Sequence, residues 1–159
     1  MTIWSLALFV HVLSAMGLFG AIVLEGAALA RHRLSPAANP GDAIEARLAG
    51  RLGGISMLAI VASGGYLMAH VWGWRTAWLD VALLTIVATV AIGIVTARMP
   101  GEEIRLASFA LRSALFAGIV FLMTVKPGLA QALVVVTTAA AVGLAAGVRV
   151  YRVAVATQA

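Results

Sequence analysis

Five apolar runs, roughly Ile3–Ala30, Leu52–Trp74, Ala77–Ala97, Ile104–Val125 and Leu129–Val148, occupy most of this chain. About 20 predominantly apolar residues rising 1.5 Å each cross a hydrocarbon core of ~30 Å, so every run is long enough to span a bilayer. In lipid a segment must satisfy its own backbone hydrogen bonds, which leaves the helix as the form open to such runs. The sequence therefore predicts an all-α fold, a polytopic transmembrane helix bundle with five spans. At 159 residues the spans and their short loops leave no room for a second domain, so residues 1–159 read as a single transmembrane domain.

Threading the chain back and forth sorts its charge. Arg31, Arg33, Arg47, Arg51, Arg98, Arg105, Arg112, Arg149 and Arg152 fall on one face, and only Arg75 and Lys126 on the other. Short loops rich in Lys and Arg stay cytoplasmic, which predicts the N-terminus outside and the C-terminus cytoplasmic. Trp4, Trp72, Trp74 and Trp78 all fall at the outer boundary, where an apolar ring with a polar N–H is most stable.

Composition agrees and excludes alternatives. The chain is 63% hydrophobic and 11% charged, with a mean hydropathy of +1.06, outside the range of soluble domains. The net charge of +5 belongs to helix ends rather than to a basic soluble face, so no nucleic-acid partner is expected. With no cysteine, disulfides, iron–sulfur clusters and thiolate zinc sites are excluded. No Walker loop, dinucleotide fingerprint or soluble triad is present, and the scattered methionines do not form a copper ladder. The first run has no basic residue before it and exceeds a signal-peptide core, so it reads as a retained span.

Between the spans, Leu34–Ala46 is the longest polar segment, with Pro36, Pro40 and Gly41 as breakers. Asp42 and Glu45 have capping-box spacing, which predicts a helix restart near Ala43. Met99-Pro100-Gly101 and Lys126-Pro127-Gly128 read as turns. Small residues recur at four-residue spacing, Gly17 and Ala21 in the first span and Ala139, Gly143 and Gly147 in the fifth, and read as bundle packing rather than a dimerisation face.

Titratable groups inside spans are costly and mark candidate sites. His11 lies about eight residues into the first span, roughly 12 Å below its outer start. It reads either as a haem ligand or proton carrier, or as a neutral imidazole bonded to a neighbouring helix. His70 lies one turn before the outer end of the second span, at a comparable height. Two histidines so placed can sandwich a b-type haem; the alternative is that His70 faces headgroups. His32, among arginines, reads as solvated. Glu25 and Arg112 share a depth from the cytoplasmic face, and an ion pair between them would neutralise both. A binding point for an anionic ligand is the other reading. Outside, Asp80 can pair with Arg75 or Lys126, and Lys126 can snorkel.

These residues resemble a known group. Leu8-Phe9-Val10-His11-Val12-Leu13-Ser14-Ala15 looks like the opening helix of small bacterial membrane proteins that carry a histidine there. Gly65-Tyr66-Leu67, Gly73-Trp74 and Trp78-Leu79 resemble their second and third helices, and Val120-Phe121-Leu122-Met123-Thr124-Val125-Lys126-Pro127 their fourth. The group comprises CopD-like copper-resistance domains, HemJ-type protoporphyrinogen oxidases and related uncharacterised integral membrane proteins, and the resemblance covers most of residues 3–128. It implies haem binding at His11 and an activity role for Lys126. Ala15-Met16-Gly17 stands where the oxidases tend to have a tryptophan, their Asn-Glu-Val-Pro-like stretch is missing around Arg112-Ser113, and a fifth span is added. The uncharacterised branch is therefore favoured over a true protoporphyrinogen oxidase.

The leading expectation is a small, multi-pass protein of the bacterial cytoplasmic (inner) membrane, binding haem or another tetrapyrrole and linked to redox chemistry. Its cofactor-binding residues would be His11, His70 and Lys126, with haem b as the cofactor and no separate metal site; Glu25 and Arg112 would form a structural ion pair. The alternatives are a non-catalytic accessory subunit of a larger membrane complex and a small permease or copper-handling module. Lipid is the expected partner, with a second membrane protein or a second copy also compatible.

Overall fold

The computed structural model describes residues 2–34, 40–72 and 76–156. The described residues form five α-helices: α1 Ile3–Leu34, α2 Pro40–Leu67, α3 Ala77–Ala97, α4 Glu102–Val125 and α5 Leu129–Ala156. α2 continues into a π-helical turn, Met68–Trp72. All five helices are long and apolar enough to cross a membrane. Their outward faces are apolar, with Leu58 74% exposed and Leu84 71%. Surfaces of that kind suit lipid rather than water.

The helix bounds correct the expected spans in instructive places. α3 has the predicted limits, but α1 runs on through Arg31 to Leu34 and α5 runs eight residues past Val148. Arg31 has a structural reason to stay helical, because it pairs with Glu45 at the start of α2. α2 restarts at Pro40 rather than near Ala43. Proline read as a breaker is also a helix starter, since its fixed φ is helical and a first-turn residue needs no N–H partner. α4 begins two residues before Ile104, with Glu102 and Glu103 in its positive first turn and Gly101 preceding it at φ 114°. Gly73, Trp74 and Arg75, which the sequence placed at the outer end of the second span, lie outside the described residues.

The chain groups into two compact units, Met1–Arg75 and Thr76–Ala159. The first is an antiparallel hairpin of α1 and α2. Its register is read from close approaches: a side chain at Gly64 would meet His11, one at Gly17 would meet Ser56, and one at Gly53 would meet Ala21. Moving forward along α1 from His11 to Ala21 thus moves the contact back along α2 from Gly64 to Gly53, an antiparallel register. On α2 the inward positions are Ala49, Gly53, Ser56, Ile60, Ser63 and Leu67, alternating steps of four and three. That spacing keeps these positions on one stripe of a helix with about 3.6 residues per turn. Most of these residues are small, so the two backbones approach closely.

In the second unit α4 packs against both α3 and α5. Ala107, Leu111, Ala114 and Gly118 of α4 face Gly147, Gly143 and Ala139 of α5. The four-residue glycine spacing of the fifth span is therefore internal packing, as the sequence predicts. Leu115, Ile119 and Leu122 of α4, Trp78, Leu79, Val81 and Ala82 of α3, and Ala132 of α5 are the unit's buried apolar residues.

Candidate functional site

His11 is the site's central residue. α1 carries it into the seam with α2, where it is half-buried. Its Nδ1 lies 3.2 Å from Ser63 Oγ, and Ser63 Oγ in turn donates to the Ala59 carbonyl at 2.5 Å. Ser63 is itself buried, on the inward stripe of α2. Next to it Gly64 makes room for the ring: a Cβ at Gly64 would stand 3.1 Å from His11 Cε1 and 3.4 Å from Nδ1. Two neighbouring residues of α2, Ser63 and Gly64, thus hold the imidazole that α1 brings in. The local sequence explains the geometry, because a serine followed by a glycine on an inward stripe supplies a hydroxyl and then a space.

His70 is placed differently. It lies on the π turn that ends α2, exposed, with its ring stacked on Tyr66 at 4.3 Å between centroids. Its Nδ1 lies 2.9 Å from the Tyr66 carbonyl oxygen. A carbonyl only accepts, so Nδ1 carries a proton. π turns interrupt the regular ladder and occur often at functional sites. Ser63, which His11 meets, stands seven residues before His70, roughly 10 Å of helix axis away. The two histidines are therefore seated separately, one in the seam and one on the π turn at the end of α2, rather than face to face at one height.

In the second unit, Arg112 is held by a chain of hydroxyls. Its Nε donates to Ser108 Oγ at 3.2 Å, Ser108 and Thr96 Oγ1 are 2.7 Å apart, and Thr96 donates to the Ile92 carbonyl at 2.7 Å. The Arg112 stem packs over Gly93, where a Cβ would stand 3.4 Å from Cδ. Arg112 lies ten residues into α4, about 15 Å of helix, so a protein-built seat for its charge is needed. Glu25 is half-buried on α1. The members of the expected Glu25–Arg112 pair thus belong to different units.

Lys126 ends α4 in the left-handed region, φ 51° and ψ 55°, with its N–H on the Leu122 carbonyl at 2.9 Å. It is exposed, and the buried Pro127 follows it. Glycine is the usual residue at such an end because it has no Cβ to clash. A lysine there costs on the order of 1 kcal/mol, offset in part by its charge at the negative end of the helix dipole.

Sequence reading missed Ser63, Gly64, Thr96 and Ser108. The signal for Ser63 was present in the four-and-three spacing of α2, which puts it on the same stripe as Ser56 and Ile60. Thr96 needed the α3–α4 register, which no local pattern supplies. Among the described residues no three His, Asp or Glu side chains come together as a metal cluster. Comparison of the chain with protein-family models, with curated proteins and with solved structures finds no match.

Proposed function

We propose that this chain is a haem- or tetrapyrrole-binding, redox-linked protein of the bacterial cytoplasmic membrane, with its N-terminus outside, and that His11 is the ligand-bearing residue. The observation that carries this reading is the seat of His11. A half-buried imidazole is anchored through one ring nitrogen to Ser63, and the helix opposite gives up a side chain at Gly64 to admit it. Ligating histidines are commonly anchored in this way through their second nitrogen. When bound, haem would supply one-electron chemistry. The protein's part is to hold the ring, keep it dry and fix its orientation.

His70 and Lys126 belong to the same proposal in lesser roles. His70 Nδ1 is likewise occupied, by the Tyr66 carbonyl, which leaves Nε2 for a ligand near the outer interface. Lys126 keeps an ammonium at a backbone position where glycine would be less strained, which supports a use for its charge toward acidic groups of a ligand. The nine arginines of one face support the proposed orientation through the positive-inside bias.

The test is the absorption spectrum of the purified protein. A Soret band that disappears in His11→Ala while the protein stays folded is the expected result. A colourless, fully folded wild-type protein from haem-replete cells would sink the proposal, and a stoichiometric partner co-purifying with it would point to an accessory subunit instead.

A further inference from the structure

We infer that Ser63 sets the proton position of His11, holding it as the tautomer protonated on Nδ1 with the lone pair on Nε2. Ser63 is then a positioning residue, and its functional meaning rests on the ligand reading of His11. The tautomer itself follows from hydrogen-bond chemistry alone.

A serine hydroxyl has one proton to give and lone pairs to receive. The Ala59 carbonyl oxygen lies 2.5 Å from Ser63 Oγ, and the Ile60 carbonyl oxygen 3.3 Å away. Carbonyls cannot donate, so the hydroxyl proton lies toward Ala59. Turning it toward His11 would leave two oxygens facing each other at 2.5 Å with no hydrogen between them. Ser63 Oγ therefore meets His11 Nδ1, 3.2 Å away, as an acceptor, and Nδ1 must be an N–H.

Free imidazole side chains favour the opposite tautomer, so the seat works against the default. Gly64 is the second part of the device. Its missing Cβ lets the ring lie against α2, close enough for the Ser63 bond to form. The outcome is an Nε2 lone pair, the form that binds a metal or accepts a proton. His70 provides an internal comparison: a carbonyl four residues back on its own helix sets the same tautomer there without any serine.

The experiment is a long-range proton–nitrogen correlation spectrum of the full chain, ligand-free in micelles and labelled with ¹⁵N-histidine, under conditions where the rings are neutral. His11→Gln assigns the His11 signals by their loss. The expected spectrum shows His11 protonated on Nδ1. Ser63→Ala should shift the His11 population several-fold toward the Nε2–H form, Ser63→Thr should restore it, and His70 should stay unchanged throughout. A wild-type His11 protonated on Nε2 overturns the inference whatever the variants do, and an unaltered tautomer in folded Ser63→Ala overturns it as well. The two proposals fail separately. A colourless protein with an Nδ1–H His11 removes the haem reading alone, whereas a Soret band lost in His11→Ala beside an Nε2–H ring removes the tautomer inference alone.

Discussion

The α1–α2 seam and the α4–α5 seam are both antiparallel pairs with glycine at their closest points, yet their glycines do different work. On α5, a Cβ at Gly143 would stand 2.8 Å from the Leu111 Cα, and one at Gly147 would stand 3.1 Å from the Ala107 carbonyl oxygen. The space that glycine leaves there is filled by the opposing backbone. In the α1–α2 seam, the space at Gly17 is filled by the Ser56 hydroxyl and the space at Gly64 by the His11 ring. The α4–α5 seam uses Gly143 and Gly147 to bring two backbones into contact, whereas Gly17 and Gly64 in the α1–α2 seam admit polar side chains. Small-residue spacing in the sequence looks alike in both cases. Only the second arrangement seats a titratable side chain, His11, beside a glycine of the seam.

The largest effect that can break this comparison is at Gly143. Gly143→Ala presses a methyl group into backbone that cannot rotate away, and should destabilise by about 1–3 kcal/mol, measured by reversible unfolding in mixed micelles. Removing a link in the Arg112 chain should come next. Ser108→Ala takes the acceptor from Arg112 Nε and should cost about 1 kcal/mol, within the range measured for interhelical hydrogen bonds in membranes. Gly17→Ala should cost less than either, a few tenths of a kcal/mol, because the atom it meets is a rotatable serine hydroxyl. A larger loss in Gly17→Ala than in Gly143→Ala would mean that the two seams are not distinguished by what fills their glycines.

The smallest effect has the opposite sign. Lys126→Gly relieves a left-handed non-glycine residue and should leave stability unchanged or raise it by up to about 1 kcal/mol in the same unfolding measurement. If Lys126 serves a ligand, the same variant weakens ligand retention in the absorption assay while unfolding no earlier. Equal retention with equal or better stability would reduce Lys126 to a helix end.

Much of the fold was legible because it depends on length and hydropathy alone. Ala77–Ala97 was bounded correctly, since polar or turn-forming residues flank both its ends. The start of α2 was not, because Pro40 can end one helix or begin another and only the helix that follows decides which. His11 was legible as a candidate, since an imidazole in an apolar run is costly wherever it points. Its seat was not legible, because Ser63 and Gly64 are ordinary residues in a span already rich in glycine, alanine and serine. Arg112 and Ser108 are one turn apart and could be paired from sequence, whereas Thr96 joins them only through the register of α3 on α4.

By itself, the sequence determined that this chain forms five apolar helices and where its costly polar groups lie along them. Those properties follow from helical rise and transfer free energy, which are local and additive along the chain. Tertiary structure decided which helix each polar group meets. The same Gly and Ser residues are spacers in one register and a hydrogen-bonded seat in another, and a one-residue slip between α1 and α2 would turn Ser63 away from His11. The hydroxyl at Ser63, the space at Gly64 and the backbone against Gly143 are consequences of register, which no single helix contains.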